Sequence, residues 1–208
     1  MFRALNAFCA LTLIAFSTLI YSGTAAASPL PDAYSMYNQL GIKHELSFDK
    51  FADAYNHFKF SKSARPVFTL IDYGKPSSEK RFWVFDVAKR ITLFSSYVSH
   101  GKNSGHLYAK KFSNRVNSHQ TSIGVFRASE TYYGKHGYSL RLDGLSKGVN
   151  DNARRRAIVI HGAAYANPKV ISKTGQLGRS WGCPALPSYL SKKVINVIKD
   201  GTLIYAYA

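Results

Sequence analysis

A histidine and a cysteine carry the side chains that nucleophilic catalysis would need in this sequence. His161 ends an apolar run, and Cys183 follows 22 positions later between Gly182 and Pro184. Glycine allows a tight turn and proline fixes the exit of the chain, so this turn could direct backbone N–H groups at the thiol. Such donors stabilise the oxyanion of acyl transfer. A nearby imidazole would favour the thiolate and return a proton to a leaving amine, so the pattern indicates acyl transfer by a Cys–His pair.

The same two residues also allow a structural interpretation. A lone cysteine is often buried and inert, and a histidine after an apolar strand often makes only a structural hydrogen bond. Their order narrows the catalytic classes, because papain-like and NlpC/P60-like peptidases place the cysteine first. Sortases require an arginine after the cysteine, and no arginine follows Cys183. Spacing alone leaves both interpretations open.

The N-terminal segment has the pattern of a secretory signal peptide. Arg3 precedes an apolar run over residues 4–21, and Ala25 and Ala27 are spaced as a small-residue cleavage site. Cleavage after Ala27 would remove residues 1–27 and leave Cys183 as the one cysteine of an exported, secreted or periplasmic protein with no stable membrane span. A retained membrane anchor is the alternative, since the run is nearly long enough to cross a bilayer.

Composition indicates a basic globular protein. The 208 residues include 28 Lys+Arg against 11 Asp+Glu, a formal charge of +17, and 46% are hydrophobic, which excludes a disordered chain. Two cysteines exclude a disulfide framework, and the seven histidines lack metal-ligand spacing, so we expect no metal and no cofactor. For an exported protein the charge favours anionic envelope polymers over nucleic acid. The arginine run 154–156 is either part of that surface or a solvated turn.

Periodicity predicts mainly β structure that positions the His–Cys pair. An amphipathic helix is expected over residues 47–60, with Ser47 as a possible N-cap, after a lead-in that begins at residue 28. A second helix is expected near the C-terminus, over 187–199. Short β-branched and aromatic runs predict strands at 67–71, 82–87, 91–95, 124–128, 139–142, 156–160 and 202–207. The sequence therefore predicts a β domain over 66–208 behind an N-terminal segment, 28–65.

Two short motifs make the chain resemble a known family. His161-Gly162, followed by Ser180-Trp181-Gly182-Cys183, is similar to the His-Gly and Ser-x-Gly-Cys signature of YkuD-type murein L,D-transpeptidases. The segment 121–126 is similar to the Thr-Pro-x-Gly-x-Phe block of that family. Blocks at 99–105, 112–114 and 133–142 resemble its divergent bacterial branch, so the resemblance spans most of residues 66–208.

The resemblance implies an L,D-transpeptidase-like β-sandwich or barrel that acts on peptidoglycan stem peptides. Cys183 would attack an L–D peptide bond to form a thioester, which an amine or water then resolves, and His161 would act as base and then acid. The backbone carbonyl of Gly162 would orient the imidazole. The N–H groups of Gly182 and Cys183 would form the oxyanion hole, and Ser180 would brace the loop.

Departures from the signature leave the substrate open. Trp181 replaces the histidine of the commoner signature, and Pro184 stands where an arginine or asparagine is usual. Trp181 could stack on a sugar or pack the loop. The predicted substrate-binding residues are Arg179, Trp181, His100, Asn103, Tyr133 and His136. Two other functions fit the sequence, a hydrolytic L,D-carboxypeptidase or amidase with the same Cys–His pair and a non-catalytic wall-binding module.

Overall fold

The β-branched and aromatic runs of the sequence form one sheet of eight strands within residues 30–208, the part of the chain that the computed structural model describes. The signal peptide predicted at 1–27 lies outside the described residues. The strands are β1 (Val67–Asp72), β2 (Phe82–Asp86), β3 (Ile91–Ser96), β4 (Gly124–Gly134), β5 (Gly137–Gly144), β6 (Val159–Ala163), β7 (Ala185–Pro187) and β8 (Leu203–Tyr207). The prediction of a mainly β fold is confirmed.

The strand order brings distant parts of the chain together. The order is β3-β2-β1-β8-β4-β5-β6-β7, with β1–β8 and β6–β7 pairing in parallel and the other neighbours antiparallel. In the β6–β7 pair, His161 is opposite Ala185. Because Cys183 stands two residues before Ala185, this register brings the cysteine loop to the strand that carries His161.

Two helices cover one face of the sheet. They are α1 (Leu30–Leu40) and α2 (Phe48–Phe60). The rings of Phe51 and Phe85 meet edge-on with centroids 5.3 Å apart, within an apolar cluster that joins both helices to the sheet. The predicted helix at 47–60 is confirmed, with Ser47 at its N-cap position. The predicted lead-in contains the helix α1. Pro31 is compatible with this helix because it stands in the first turn, where a missing N–H costs no helical hydrogen bond.

A second apolar core lies between the sheet and a helix near the C-terminus. This helix, α4 (Ser188–Ile198), buries Val194, Ile195 and Ile198 completely. Its hydrophobic residues recur at helical spacing, and the predicted helix at 187–199 is confirmed. Within the described residues, no helix is both long and apolar enough to span a bilayer.

The structure corrects one predicted boundary and adds two elements that the sequence did not predict. Strand β6 begins at Val159 rather than at residue 156, because Ala157 has a φ of 53° and residues 151–157 form turns. The seven-residue helix α3 (Pro168–Thr174), capped by the side chain of Asn167, was not predicted. Strand β7 was also missed, since it has only three residues and ends in proline.

Candidate active site

The loop before β7 holds Cys183 in a tight turn that requires glycine. Gly182 has a φ of +122°, and a Cβ added there would lie 2.8 Å from the backbone oxygen of Gln120. Both the conformation and the space therefore exclude a larger side chain. The Cys183 side chain is half-buried beside this turn.

Ser180 connects the two ends of this turn. Its hydroxyl donates to the carbonyl oxygen of Cys183 at 2.7 Å and accepts the N–H of Gly182 at 3.0 Å. The residue is 4% exposed. The Gly182 N–H, predicted as an oxyanion donor, is thus already engaged by Ser180. These two bonds hold the turn together, and the role of the Gly182 and Cys183 N–H groups as oxyanion donors stays a prediction.

His161 is buried, and the hydrogen bond of its ring determines which nitrogen is free. Its Nδ1 lies 3.0 Å from the carbonyl oxygen of Gly162. A carbonyl oxygen can only accept, so Nδ1 carries the proton in this bond. Nε2 of the neutral ring is then left as an acceptor. Burial lowers the pKa of His161, against the opposing effect of the Gly162 hydrogen bond, and the nearby His136 lowers it further.

The Cys183 thiol has a backbone carbonyl as its hydrogen-bond partner. Its Sγ lies 3.6 Å from the carbonyl oxygen of Ala157, to which it donates. No hydrogen bond between Sγ and His161 is found within the described part of the chain. Burial raises the thiol pKa, whereas the Val159 N–H, Arg156 and Lys135 lower it to a smaller extent. The resting pair therefore favours a neutral thiol and a neutral imidazole rather than the preformed thiolate that the sequence suggested.

Two cavities meet at Cys183. They have volumes of about 260 and 300 Å³. Residues Lys135, His136, Trp181 and Cys183 line both of them. The larger cavity also contains His161, Tyr165 and Arg179, and the smaller one contains Arg156, His119 and Tyr132. His161 and Cys183 thus share the larger cavity, and Cys183 borders both cavities.

The two cavities are positively charged. Lys135, Arg156 and Arg179 line them, and no acidic side chain does so among the described residues. Arg154, in the same arginine run as Arg156, does not line the cavities and forms ion pairs with Glu130 and Asp143. The surroundings therefore attract carboxylates and repel free ammonium groups.

Arg156 is a structural residue of the site that sequence reasoning missed. Its guanidinium is half-buried and donates to Ser113 O and Ser122 Oγ, and also to Gln120 O at 2.6 Å and Ser118 Oγ at 3.0 Å. These bonds attach the segment 113–122 to the cavity wall beside Cys183. A basic run alone gives no signal that one of its members points inward.

Trp181 lies on the surface above the cavities. It is 66% exposed, its ring stacks on His119 with centroids 4.6 Å apart, and the Lys102 Nζ lies 4.9 Å from its centroid. The indole thus packs on another side chain and still presents apolar area to solvent. Both interpretations of Trp181 remain compatible with this position.

The other predicted substrate-binding residues divide into two groups. Arg179 and His136 line the larger cavity. Asn103 instead donates to Ser118 O at 2.9 Å, and Tyr133 is 76% exposed on the β4–β5 hairpin. Neither of these two lines the cavities at Cys183.

His100 needs a correction, because it is only 1% exposed. Its Nδ1 lies 2.7 Å from a guanidinium nitrogen of the buried Arg81 and accepts a hydrogen bond from it. Burial and the Arg81 charge lower the pKa of His100 to about 4, so its ring is neutral. The backbone of His100 supports the loop before β7, because the N–H of Ser180 donates to the His100 carbonyl oxygen at 2.9 Å. It does not reach the cavities.

The chain was compared with protein families, curated proteins and solved structures. Residues 42–207 match the family model described as L,D-transpeptidase catalytic domain. No curated protein matches the chain. A solved L,D-transpeptidase from Mycobacterium smegmatis is similar at 16% identity, covering 69% of this chain and 59% of that one, with a TM-score of 0.43.

Two further solved structures are comparably similar. For L,D-transpeptidase 1 from Mycobacterium tuberculosis the identity is 15%, the coverage 69% of this chain and 62% of that one, and the TM-score 0.39. For L,D-transpeptidase 3 from Mycobacterium tuberculosis the identity is 12%, the coverage is 69% of this chain and 61% of that one, and the TM-score is 0.43. The chain thus spans about three fifths of the length of these structures.

Proposed function

The chain belongs to the L,D-transpeptidase catalytic domain family, and from this premise we propose that it is a cysteine-dependent acyltransferase of peptidoglycan. Cys183 is the proposed nucleophile and His161 the proposed base. The substrate is a stem peptide, cleaved at an L–D bond before its terminal D-amino acid. The protein acts in the cell envelope after export.

The hydrogen bond between His161 Nδ1 and the Gly162 carbonyl is the observation that carries this proposal. It holds the ring as the tautomer whose Nε2 accepts a proton, and it does so without a carboxylate. Burial keeps the ring uncharged and thus able to act as a base. Loss of its hydrogen bond to Ala157 O would free Sγ to react within the cavity that Cys183 shares with His161.

The chemistry then proceeds by two acyl transfers. Nε2 of His161 takes the Sγ proton while Sγ bonds to the carbonyl carbon of the donor peptide. The C–N bond breaks, and the leaving amine takes the proton from His161, which leaves a thioester on Cys183. An acceptor amine attacks that thioester and passes a proton to His161. The C–S bond breaks, and the proton returns to the thiolate.

Two cavities that both border Cys183 support transfer to a second stem peptide. The cavity that contains Arg179 would hold one peptide and the cavity that contains Arg156 the other, with Cys183 bordering both. Cationic lining residues suit the carboxylates of stem peptides. Water entering by the acceptor side would instead hydrolyse the thioester, so the products distinguish the two reactions.

Mass spectrometry of stem tetrapeptides incubated with the purified protein tests the proposal. A dimer that lacks one D-alanine indicates transfer, and loss of D-alanine alone indicates hydrolysis. We expect Cys183→Ala to abolish both products, whereas Ser188→Ala, at an exposed serine at the start of α4, leaves them unchanged. If Cys183→Ala and the parent protein bind isolated wall equally and neither turns over peptide, the protein is a binding module.

A further inference from the structure

A second imidazole lies against the ring of His161. The β4–β5 hairpin is paired as far as Gly134 and Gly137, which leaves Lys135 and His136 as a two-residue turn. Gly137 has a φ of 70°, a left-handed conformation that allows the tight return of the chain. The His136 ring stacks on the His161 ring with centroids 4.4 Å apart and planes inclined by 24°. The hairpin thus delivers an exposed histidine onto a buried one.

Among the described residues, no carboxylate lines the cavity that contains His161. The neighbouring strands β5 and β7 place the uncharged Ser139 and Ala185 opposite it. The titratable or charged groups that share its cavity are Lys135, His136, Tyr165, Arg179 and Cys183. A positive charge on His161 would therefore face only neutral or positive groups.

Two imidazolium ions whose ring centroids lie 4.4 Å apart repel each other by about 1 kcal/mol even at the dielectric constant of water. Protonation of one ring consequently opposes protonation of the other. Stacking also limits the tilt of the His161 ring, whose Nδ1 is already bound to the Gly162 carbonyl. The His136 ring can therefore affect both the charge and the orientation of His161.

We propose that His136 is a positioning residue that keeps His161 neutral and correctly oriented for proton transfer. The inference rests on the proposed role of His161 as the base. Burial is the larger cause of the lowered His161 pKa, and the charge of His136 adds to it. The hairpin turn thus supplies a second control on the proposed base, outside the Cys–His pair itself.

The test is an NMR titration of the His161 ring in the whole chain and in three variants. His136→Ala removes the ring, and His136→Phe keeps a flat ring over His161 but removes its charge. His44→Phe is the matched control, because His44 is an exposed histidine between α1 and α2, more than 100 positions before His161 in the sequence. We expect both His136 variants to raise the titration midpoint of His161 by roughly 0.5–1 pH unit. The control should not move it.

An unchanged titration midpoint of His161 in His136→Phe would overturn the proposal. The His136 ring would then only pack on His161 and would have no effect on its charge. This measurement requires no turnover. If the midpoint rises but the stem-peptide assay yields no product, the proposed function fails while the electrostatic coupling stands. If product forms and the midpoint does not move, only the role of His136 fails. In an active protein, we also expect the acid limb of kcat/KM to move to higher pH in both His136 variants.

Discussion

Replacing Ser180 by alanine tests how the cysteine turn is held. The hydroxyl donates to Cys183 O and accepts the N–H of Gly182, and the side chain is almost completely buried. The substitution removes both hydrogen bonds and leaves two backbone groups without their side-chain partner. Each lost bond costs about 1 kcal/mol, and unsatisfied burial adds to this, so we expect a total loss of about 2–3 kcal/mol.

Thermal unfolding followed by circular dichroism measures this loss. For a domain of this size, 1 kcal/mol corresponds to roughly 2–4 °C in Tm, so Ser180→Ala should unfold roughly 5–10 °C below the parent protein. Ser188→Ala is the matched control, because Ser188 is exposed at the start of α4. We expect this control to stay within about 0.5 kcal/mol of the parent.

A Tm of Ser180→Ala equal to that of Ser188→Ala would refute the reasoning. Water would then replace the hydroxyl at no cost, and the turn would not depend on Ser180. Reaction of Cys183 with a maleimide gives an independent readout. A loosened turn should change the labelling rate of Cys183 severalfold at a temperature where the variant remains folded.

Two further predictions concern the surroundings of the thiol. Because burial raises the pKa of Cys183, its rate of alkylation by iodoacetamide should keep rising with pH beyond about 8.5, the ordinary thiol value, and a plateau below pH 7 would contradict this direction. Arg156→Met removes the hydrogen bonds that hold residues 113–122 and a positive charge that favours the thiolate. We expect faster proteolysis of that segment and severalfold slower alkylation at pH 7.5, with the exposed Arg155→Met as the control, and equal behaviour of the two variants would exclude this role.

Helices and strands were predicted correctly where the hydrophobic pattern of the sequence was strong, and were missed or misplaced where it was weak. Strands such as β1 and β2 are continuous β-branched and aromatic runs, and their positions were predicted within about one residue. Helix α1 was missed because Pro31 suggested a loop, although proline fits the first turn of a helix. The start of β6 was misplaced because Arg156 is a plausible strand residue by type, whereas its N–H bonds to the Asn152 carbonyl within a turn and its side chain bonds to a distant segment.

The candidate site shows the same division between local and distant information. The resemblance of His161-Gly162 and Ser180-Trp181-Gly182-Cys183 to a family signature predicted a shared site, and the structure brings His161 and Cys183 to one cavity. His100 was expected in the cleft because it stands in a glycine-rich loop, yet its bond to Arg81 takes it into the interior. The stacking of His136 on His161 depends on where a hairpin folds back, which no short motif specifies.

The position of β8 in the sheet has a consequence for the order of assembly. This strand lies between β1 and β4 and supplies the hydrogen-bonding partners of both. During synthesis, the β1–β3 meander and the β4–β5 hairpin can form early, but they remain unjoined until residues 203–207 leave the ribosome. Pairing across so many intervening residues slows folding. The sheet therefore becomes continuous only when residues 203–207 are available to pair with both β1 and β4.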